Sequence, residues 1–584
     1  MNSFFKIFFA SLLSLIVFGV LSILVFSAIL SSMATKSEER TGNNAVLVLD
    51  LSTPFPEVAE ENPFAALSGG ENYDIPSVYD VVRMLRTSIS DSSVKGLLLK
   101  CGSNANGFGT SEDIRNAILE FRKAGKFVIA HADVITQGGY YVGNAADKVY
   151  INPVGGLDWR GYSMNLFFMK GTLEKLEIEP QIFYAGKFKS ATEPFREYKM
   201  TDANRLQSSE LLKDLYGHFL DLTSKARNID TALLHQYANE NSVQSANDAL
   251  KFGLVDGLKY DDEVKEEIKN RLKIGKYDKL NFVSIAKYAK ATSFKKMGKD
   301  KIAVIYAQGD IIDGKGERDQ IGSESYVKMI RSVRLDRSIK AIVFRINSGG
   351  GSALASENIW RELSLAKKEK PVVISFGDVS ASGGYYLSCV ADSIFAQPNT
   401  ITGSIGVFSM LPNMQKFFNN KLGVTFDGVK TSPDADALSV SKPLTESQRK
   451  WIQNDVDSIY FTFTSRVAEG RKKDRAYIDS IGQGRVWSGK RGIELGLVDR
   501  IGGLQEAIDC AVRMAKTPDY RLKELPEPLN IFESLLGTYQ QNAAQQSIRN
   551  EIGPEGVKTF QSLKKVQTLM KGPQARMAFD FVIE

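Results

Sequence analysis

Along the 584-residue chain, apolar and polar positions fall into distinct regimes. Residues 7–30 carry no charge and few polar groups, a run long enough to cross roughly 30 Å of hydrocarbon as a single helix. Its apolar core exceeds the usual 7 to 15 residues of a cleavable leader, so a retained anchor over residues 1–40 is expected, with cleavage after Ala28 or Ala34 as the competing reading. From Asn44 onward, short apolar runs of strand length alternate with stretches of helical period. In the second half the pattern predicts strands over 301–308, 341–346, 371–376 and 393–396, with helices over 325–333, 354–368 and 382–390 between and after them. Such alternation predicts a mostly parallel α/β layer architecture. A longer amphipathic helix is expected over 447–470, with a mirror at 203–226. The tail, 526–584, is punctuated by Pro and Gln with one helical patch near 561–570, and no chemistry attaches to it.

The mirror extends to the sequence itself. Ala132-Asp-Val-Ile-Thr-Gln-Gly-Gly-Tyr-Tyr141 lies under Gly377-Asp-Val-Ser-Ala-Ser-Gly-Gly-Tyr-Tyr386, and both continue to an Ala-Asp and then a Pro (Pro153, Pro398). At the same offset, 245 residues, Val94-Lys-Gly-Leu-Leu-Leu99 matches Ile339-Lys-Ala-Ile-Val-Phe344. With a small drift, Gly253-Leu-Val-Asp256 matches Gly496-Leu-Val-Asp499. Two versions of one domain are fused, with expected bounds 41–294 and 295–525 and a C-terminal extension over 526–584.

Composition narrows the function classes. With 43% hydrophobic and 24% charged residues the chain is globular, and a formal +6 spread over 74 basic and 68 acidic residues forms no basic block that would imply nucleic acid. Three cysteines, Cys101, Cys389 and Cys510, are widely spaced, and the three histidines (His131, His218, His235) have no metal-ligand spacing, so neither a metal nor a cofactor is indicated. Lys6 precedes the apolar run, while Lys36 and Arg40 beyond it are offset by Glu38 and Glu39, which points to a cytoplasmic N-terminus with the bulk of the chain facing outward.

The two repeats differ at the positions that carry chemistry. Ser382, expected in a turn between strand and helix beside the unencumbered amides of Gly383 and Gly384, has Gln137 as its counterpart. Asn347-Ser-Gly-Gly-Gly-Ser352, whose consecutive glycines can turn their amides toward one point, becomes Gly102-Ser-Asn-Ala-Asn-Gly107. A Gly-rich turn and an N-cap serine are the plain alternatives, but joint loss of serine and glycines fits one active and one degenerate site. A serine nucleophile needs a base. The histidines are poorly placed, and a lysine would have to lose its proton near neutrality, which takes on the order of 4 kcal/mol of differential stabilisation by burial. Tyr184-Ala-Gly-Lys-Phe-Lys-Ser-Ala-Thr-Glu-Pro-Phe195 is where first-repeat lysines sit among small, aromatic and Pro residues instead of on a charged face.

The apolar N-terminal run, the tandem repeat, Gly-Lys-Phe-Lys-Ser-Ala-Thr-Glu-Pro-Phe, Asn-Ser-Gly-Gly-Gly-Ser, Ser-Ala-Ser-Gly-Gly-Tyr-Tyr and Thr402-Gly-Ser-Ile-Gly406 together resemble the signal peptide peptidase A (protease IV) family in its long, double-domain form. The resemblance implies tandem ClpP/crotonase-like domains behind one transmembrane helix. It also implies a serine endopeptidase with nucleophile Ser382, general base Lys189, a helper hydroxyl at Ser404 and oxyanion amides from Gly351 and Gly383. It further implies a homotetramer at the bacterial inner membrane, facing the periplasm, whose substrates are remnant signal peptides. Gly349 departs from the family loop, which commonly has a proline there. Two readings from other classes stand beside it: a crotonase-like acyl-CoA enzyme, which needs no serine, and a non-catalytic membrane scaffold.

Overall fold

The computed structural model describes residues 2–34, 40–59, 75–527 and 572–577. The expected helical patch at 561–570 lies outside them. An N-terminal helix, Asn2–Ala34, contains a stretch, Phe4–Ser22, that is long and apolar enough to cross a membrane, and residues such as Phe4, Leu13 and Phe18 present their side chains outward.

Each repeat is built on a mostly parallel sheet, and in the second the edge strand Val486–Ser488 runs antiparallel to Ile401–Gly403. In the first, the order is Gly257–Leu258, Lys148–Leu157, Phe127–Ile135, Val94–Lys100, Ala45–Asp50 and Asn281–Ser284. In the second, Val486–Ser488, Ile401–Gly403, Val372–Ala381, Ile339–Ser348, Asp300–Gln308 and Tyr520–Leu525 follow one another, with Ser393–Ala396 and Arg500–Ile501 branching from the third strand. Helices cover both faces, so the central strands are continuous apolar runs: Ala341 to Phe344 are wholly buried, two facing each core. The long mirrored helices are Asp202–Arg227 and Glu446–Arg471. Thr201 and Thr445 cap their N-termini, and Asn228 and Lys472 end them in the left-handed region.

One expected boundary shifts. The strand expected to stop at Phe376 runs on to Ala381, because Val379 to Ala381 change partner and pair with Ile401–Gly403 after a register shift opposite Ile346 to Ser348. The small residues at 377–381 extend the sheet instead of turning the chain. A Cβ on Gly377 would stand 2.8 Å from Asn347 Cγ, so the close approach at the shift requires glycine.

The repeats interlock. Glu179–Ala185, from the first half of the chain, pairs antiparallel over seven residues with Val407–Asn413, and Phe183 and Ala185 join the second repeat's core. Elsewhere Arg345 of the second repeat is fully buried between Glu57 (2.9 Å) and Asp113 (3.3 Å) of the first, and also donates to the Phe376 carbonyl. Burial pushes the Asp113 carboxyl up to about 7 against the pull of that guanidinium.

Candidate active site

The strand Val372–Ala381 ends at a sharp corner. Ser382 has φ +54° and ψ −115°, a conformation that side chains rarely adopt, and its amide donates to the Gly403 carbonyl at 2.8 Å. The helix Gly383–Ser388 starts at once. A Cβ on Gly384 would meet the Ser348 carbonyl at 2.9 Å, so only glycine lets the helix begin this close to the glycine loop. The loop itself is held by Ser348, whose hydroxyl donates to the Gly309 carbonyl (2.6 Å) and accepts from the Gly350 amide (3.1 Å). That anchoring positions the loop with glycine at 349.

Lys189 arrives from the first repeat. The strand Glu179–Ala185 delivers it to the second repeat, and the loop after the strand is fixed on two sides. The Phe188 amide donates to the Gln483 carbonyl at 2.7 Å, and Gln207 donates to the Phe188 carbonyl and the Ser190 hydroxyl, both at 3.0 Å. The Lys189 side chain is then fully buried, with Nζ 2.9 Å from Ser382 Oγ, 3.1 Å from Ser404 Oγ and 3.2 Å from the Ser404 carbonyl. Its polar contacts are hydroxyl and carbonyl oxygens, and among the described residues no carboxylate pairs with it. Desolvation without a compensating anion holds its pKa well below the usual value near 10.5. Ser404 is also strained, at φ +50°, and its amide donates to the Arg485 carbonyl at 2.7 Å.

Gly351 and Gly383 converge beside the serine. A Cβ built on Gly383 would lie 3.2 Å from the Gly351 nitrogen. All five residues expected at the site are therefore in one place: Ser382, Lys189, Ser404, Gly351 and Gly383. The histidines are elsewhere, His131 against the Lys259 carbonyl and His218 against Glu112. In the first repeat Gln137 fills the serine position with a self-satisfied amide, its oxygen accepting from the Arg160 and Gly161 amides and its nitrogen donating to the Gly161 carbonyl. The position that corresponds to Ser382 thus carries an amide and no hydroxyl.

One participant went unread in the sequence. The tail returns as a strand, Gln574–Arg576, between Gly350–Ser352 and Val407–Asn413, antiparallel to both. Met577 N–H donates to the Gly349 carbonyl (2.7 Å) and Ala353 N–H to the Pro573 carbonyl (3.3 Å). The alternation of an antiparallel ladder makes the intervening Gly351 and Ala575 a hydrogen-bonded pair, so the Gly351 amide faces the Ala575 carbonyl. That oxygen would lie 2.9 Å from a Cβ on Gly383. The tail thus lays a peptide carbonyl into the corner made by both glycines, where Ser382, Lys189 and the tail's own Ala575 are all buried. Three residues without periodicity offer no strand signal; only the glycine loop, which leaves an unpaired edge, could have suggested an occupant.

Residues 120–275 and 364–517 both match the description "Peptidase family S49". The chain is 31% identical over 591 residues to Protease 4 of Haemophilus influenzae, covering 97% of this chain and 96% of that protein. It is 33% identical over 502 residues to Protease 4 of Salmonella typhi (83% and 81% covered). To the chloroplastic serine protease SPPA of Arabidopsis thaliana it is 32% identical over 498 residues (83% and 72% covered). Among solved structures, a ClpP1 mutant from Listeria monocytogenes aligns with 35% of this chain and 94% of its own at 14% identity and a TM-score of 0.24.

Proposed function

Given that the chain belongs to peptidase family S49 and is a serine protease of that family, we propose that it hydrolyses peptide bonds with a Ser382–Lys189 dyad. The observation that carries this reading is a buried lysine without an anionic partner, 2.9 Å from a serine hydroxyl on a strained corner. Neutral Lys189 takes the Ser382 proton as Oγ attacks the substrate carbonyl. The developing oxyanion rests on the amides of Gly351 and Gly383, aimed beforehand in a water-poor site. Lys189 then gives the proton to the leaving amine, and a water activated by the same lysine releases the acyl group from Ser382. Ser404 orients Nζ through its hydroxyl and carbonyl.

The N-terminal helix serves as a single-pass anchor in the bacterial inner membrane, with the catalytic repeats toward the periplasm and remnant signal peptides as substrates. Its length and apolar surface support this, as do the bacterial relatives named Protease 4. A homotetramer is the working assembly; Leu422, Phe426 and Val429 expose an apolar surface of the kind a partner subunit would cover.

A fluorophosphonate probe tests the dyad. It should modify Ser382 in the wild type, with the adduct located by peptide mass, and fail to modify Ser382→Ala or Lys189→Ala. Peptide hydrolysis should fall by at least about 10³-fold in both variants and no further in the double variant, since members of one unit are not additive. Substantial turnover by Lys189→Ala with the fold intact would sink the assignment of the base.

A further inference from the structure

A cavity of about 370 Å³ opens beside the site on the side where the tail strand exits. Part of its wall comes from the second repeat: Gly349, Asp378, Val379, Ile401 and the tail's Met577. The rest is the degenerate first repeat. Asn104 and Asn106 occupy the positions that correspond to Gly349 and Gly351, and Gly138 corresponds to Gly383. The cavity is thus the vacated counterpart of the oxyanion corner, opening toward the live one.

Met577 shows what the cavity is for. It stands two residues past Ala575, whose carbonyl lies in the oxyanion corner, and it is buried in an apolar cluster with Ala381, Ile401, Val486, Leu211 and Leu215. Phe108, Tyr141, Val379 and Ile401 give the cavity apolar walls. Its polar groups are largely paired internally: Asn104 donates to Ser111 (2.8 Å) and the Gly138 carbonyl (3.1 Å), and Asp378 accepts from the Thr110 amide (2.8 Å) and hydroxyl (3.0 Å). An apolar side chain entering there leaves few polar groups unpaired.

From this geometry we infer that the degenerate repeat is a substrate subsite. It receives a large apolar side chain carried by the second residue after the scissile bond. The inference rests on the Ser382 reading, which makes the Ala575 carbonyl the mimic of the scissile one. Gly138 is the selective element: a Cβ there meets only Asn104 Cβ, at 3.6 Å, so a side chain can be added into the cavity without backbone conflict.

The test uses the full-length enzyme and internally quenched peptides that differ only in that second residue (Ala, Leu, Phe or Trp), with the cleaved bond located by mass. The wild type should favour Phe over Ala by about tenfold or more in kcat/KM. Gly138→Leu, which fills the cavity, should bring that ratio to about one or below, and Phe108→Ala, which widens it, should raise the Trp-to-Phe ratio. A flat wild-type series overturns the subsite, and so does a preference that both variants leave unchanged. Fluorophosphonate labelling of wild-type Ser382 separates the failures: a labelled serine with a flat series removes the subsite alone, whereas an unlabelled one with no cleavage removes the dyad and the subsite with it.

Discussion

Gly484 is in the second repeat and takes no part in the chemistry, yet a single methyl on it should disable the enzyme. Its φ is +78°, and an added Cβ would stand 2.7 Å from both the Cα and the backbone nitrogen of Lys189 and 2.8 Å from its Cβ. Carbon contacts settle at about 3.5 to 4.0 Å, so the lysine backbone has to retreat by about 1 Å. The loop has little freedom to absorb this, because Phe188 is tied to Gln483 and Gln207 holds the carbonyl that follows. The displacement passes to Nζ, now 2.9 Å from Ser382 Oγ. A misplacement of about 1 Å in a reacting group costs about 10²-fold in rate, or about 2.7 kcal/mol of barrier. The left-handed backbone adds about 1 kcal/mol of lost stability, which a melting curve reads separately. Gly484→Ala should therefore lose about 10²-fold in kcat/KM at a temperature where it is fully folded. Activity within about twofold of wild type, together with the expected drop in Tm, would mean that the lysine's position does not limit the reaction and would refute the reasoning.

The same geometry predicts further outcomes. Burial lowers the Lys189 pKa in the folded chain, while in the unfolded chain the amine keeps its proton up to about 10.5, so activity should rise with pH through the lowered value. Between the two values the folded state binds fewer protons than the unfolded state. Stability should therefore rise with pH across that window, and Lys189→Met should be inactive yet flatter and higher in Tm below it, checked by thermal melts from pH 6 to 10. Gln137→Ala removes three hydrogen bonds in the degenerate corner and should cost about 1 to 3 kcal/mol of stability, seen by denaturant titration, while Ser382 still labels with fluorophosphonate. Deleting 572–584 uncovers Ser382 and should raise kcat/KM on short peptides; a fall would mark the strand as part of the site's wall instead of its occupant.

The parts of the fold legible in the sequence are those whose burial imposes a period. Ile339–Ser348 and Asp300–Gln308 lie inside a covered sheet and read as apolar runs, and the two long helices announce themselves by an amphipathic period at mirrored positions. The internal repeat exposed Ser382 against Gln137 without reference to any other protein. The base was different. Lys189 and Ser382 are 193 residues apart and meet because one antiparallel pairing, Glu179–Ala185 with Val407–Asn413, joins the repeats. No local pattern encodes that pairing, so the lysine was reached through resemblance. The extension to Ala381 of the strand that leads into Ser382 is hidden because small residues at a partner change look like a turn. Gly484 and the Gln574–Arg576 strand leave no local trace, since their significance lies in what they touch.

The order of these parts along the chain bears on biogenesis. As the polypeptide leaves the ribosome, the first repeat emerges with the lysine but no serine for it to act on, and the serine follows only after nearly two hundred further residues. The segment that covers the serine is made after both repeats. A truncated product ending before residue 382 lacks the serine of the proposed dyad, and one ending between residues 382 and 404 has that serine without the one that borders the lysine amine. A chain that has finished both repeats but not the tail would have an open cleft. Stalled or clipped chains thus fall into two classes, inert or uncovered, divided by where synthesis stopped.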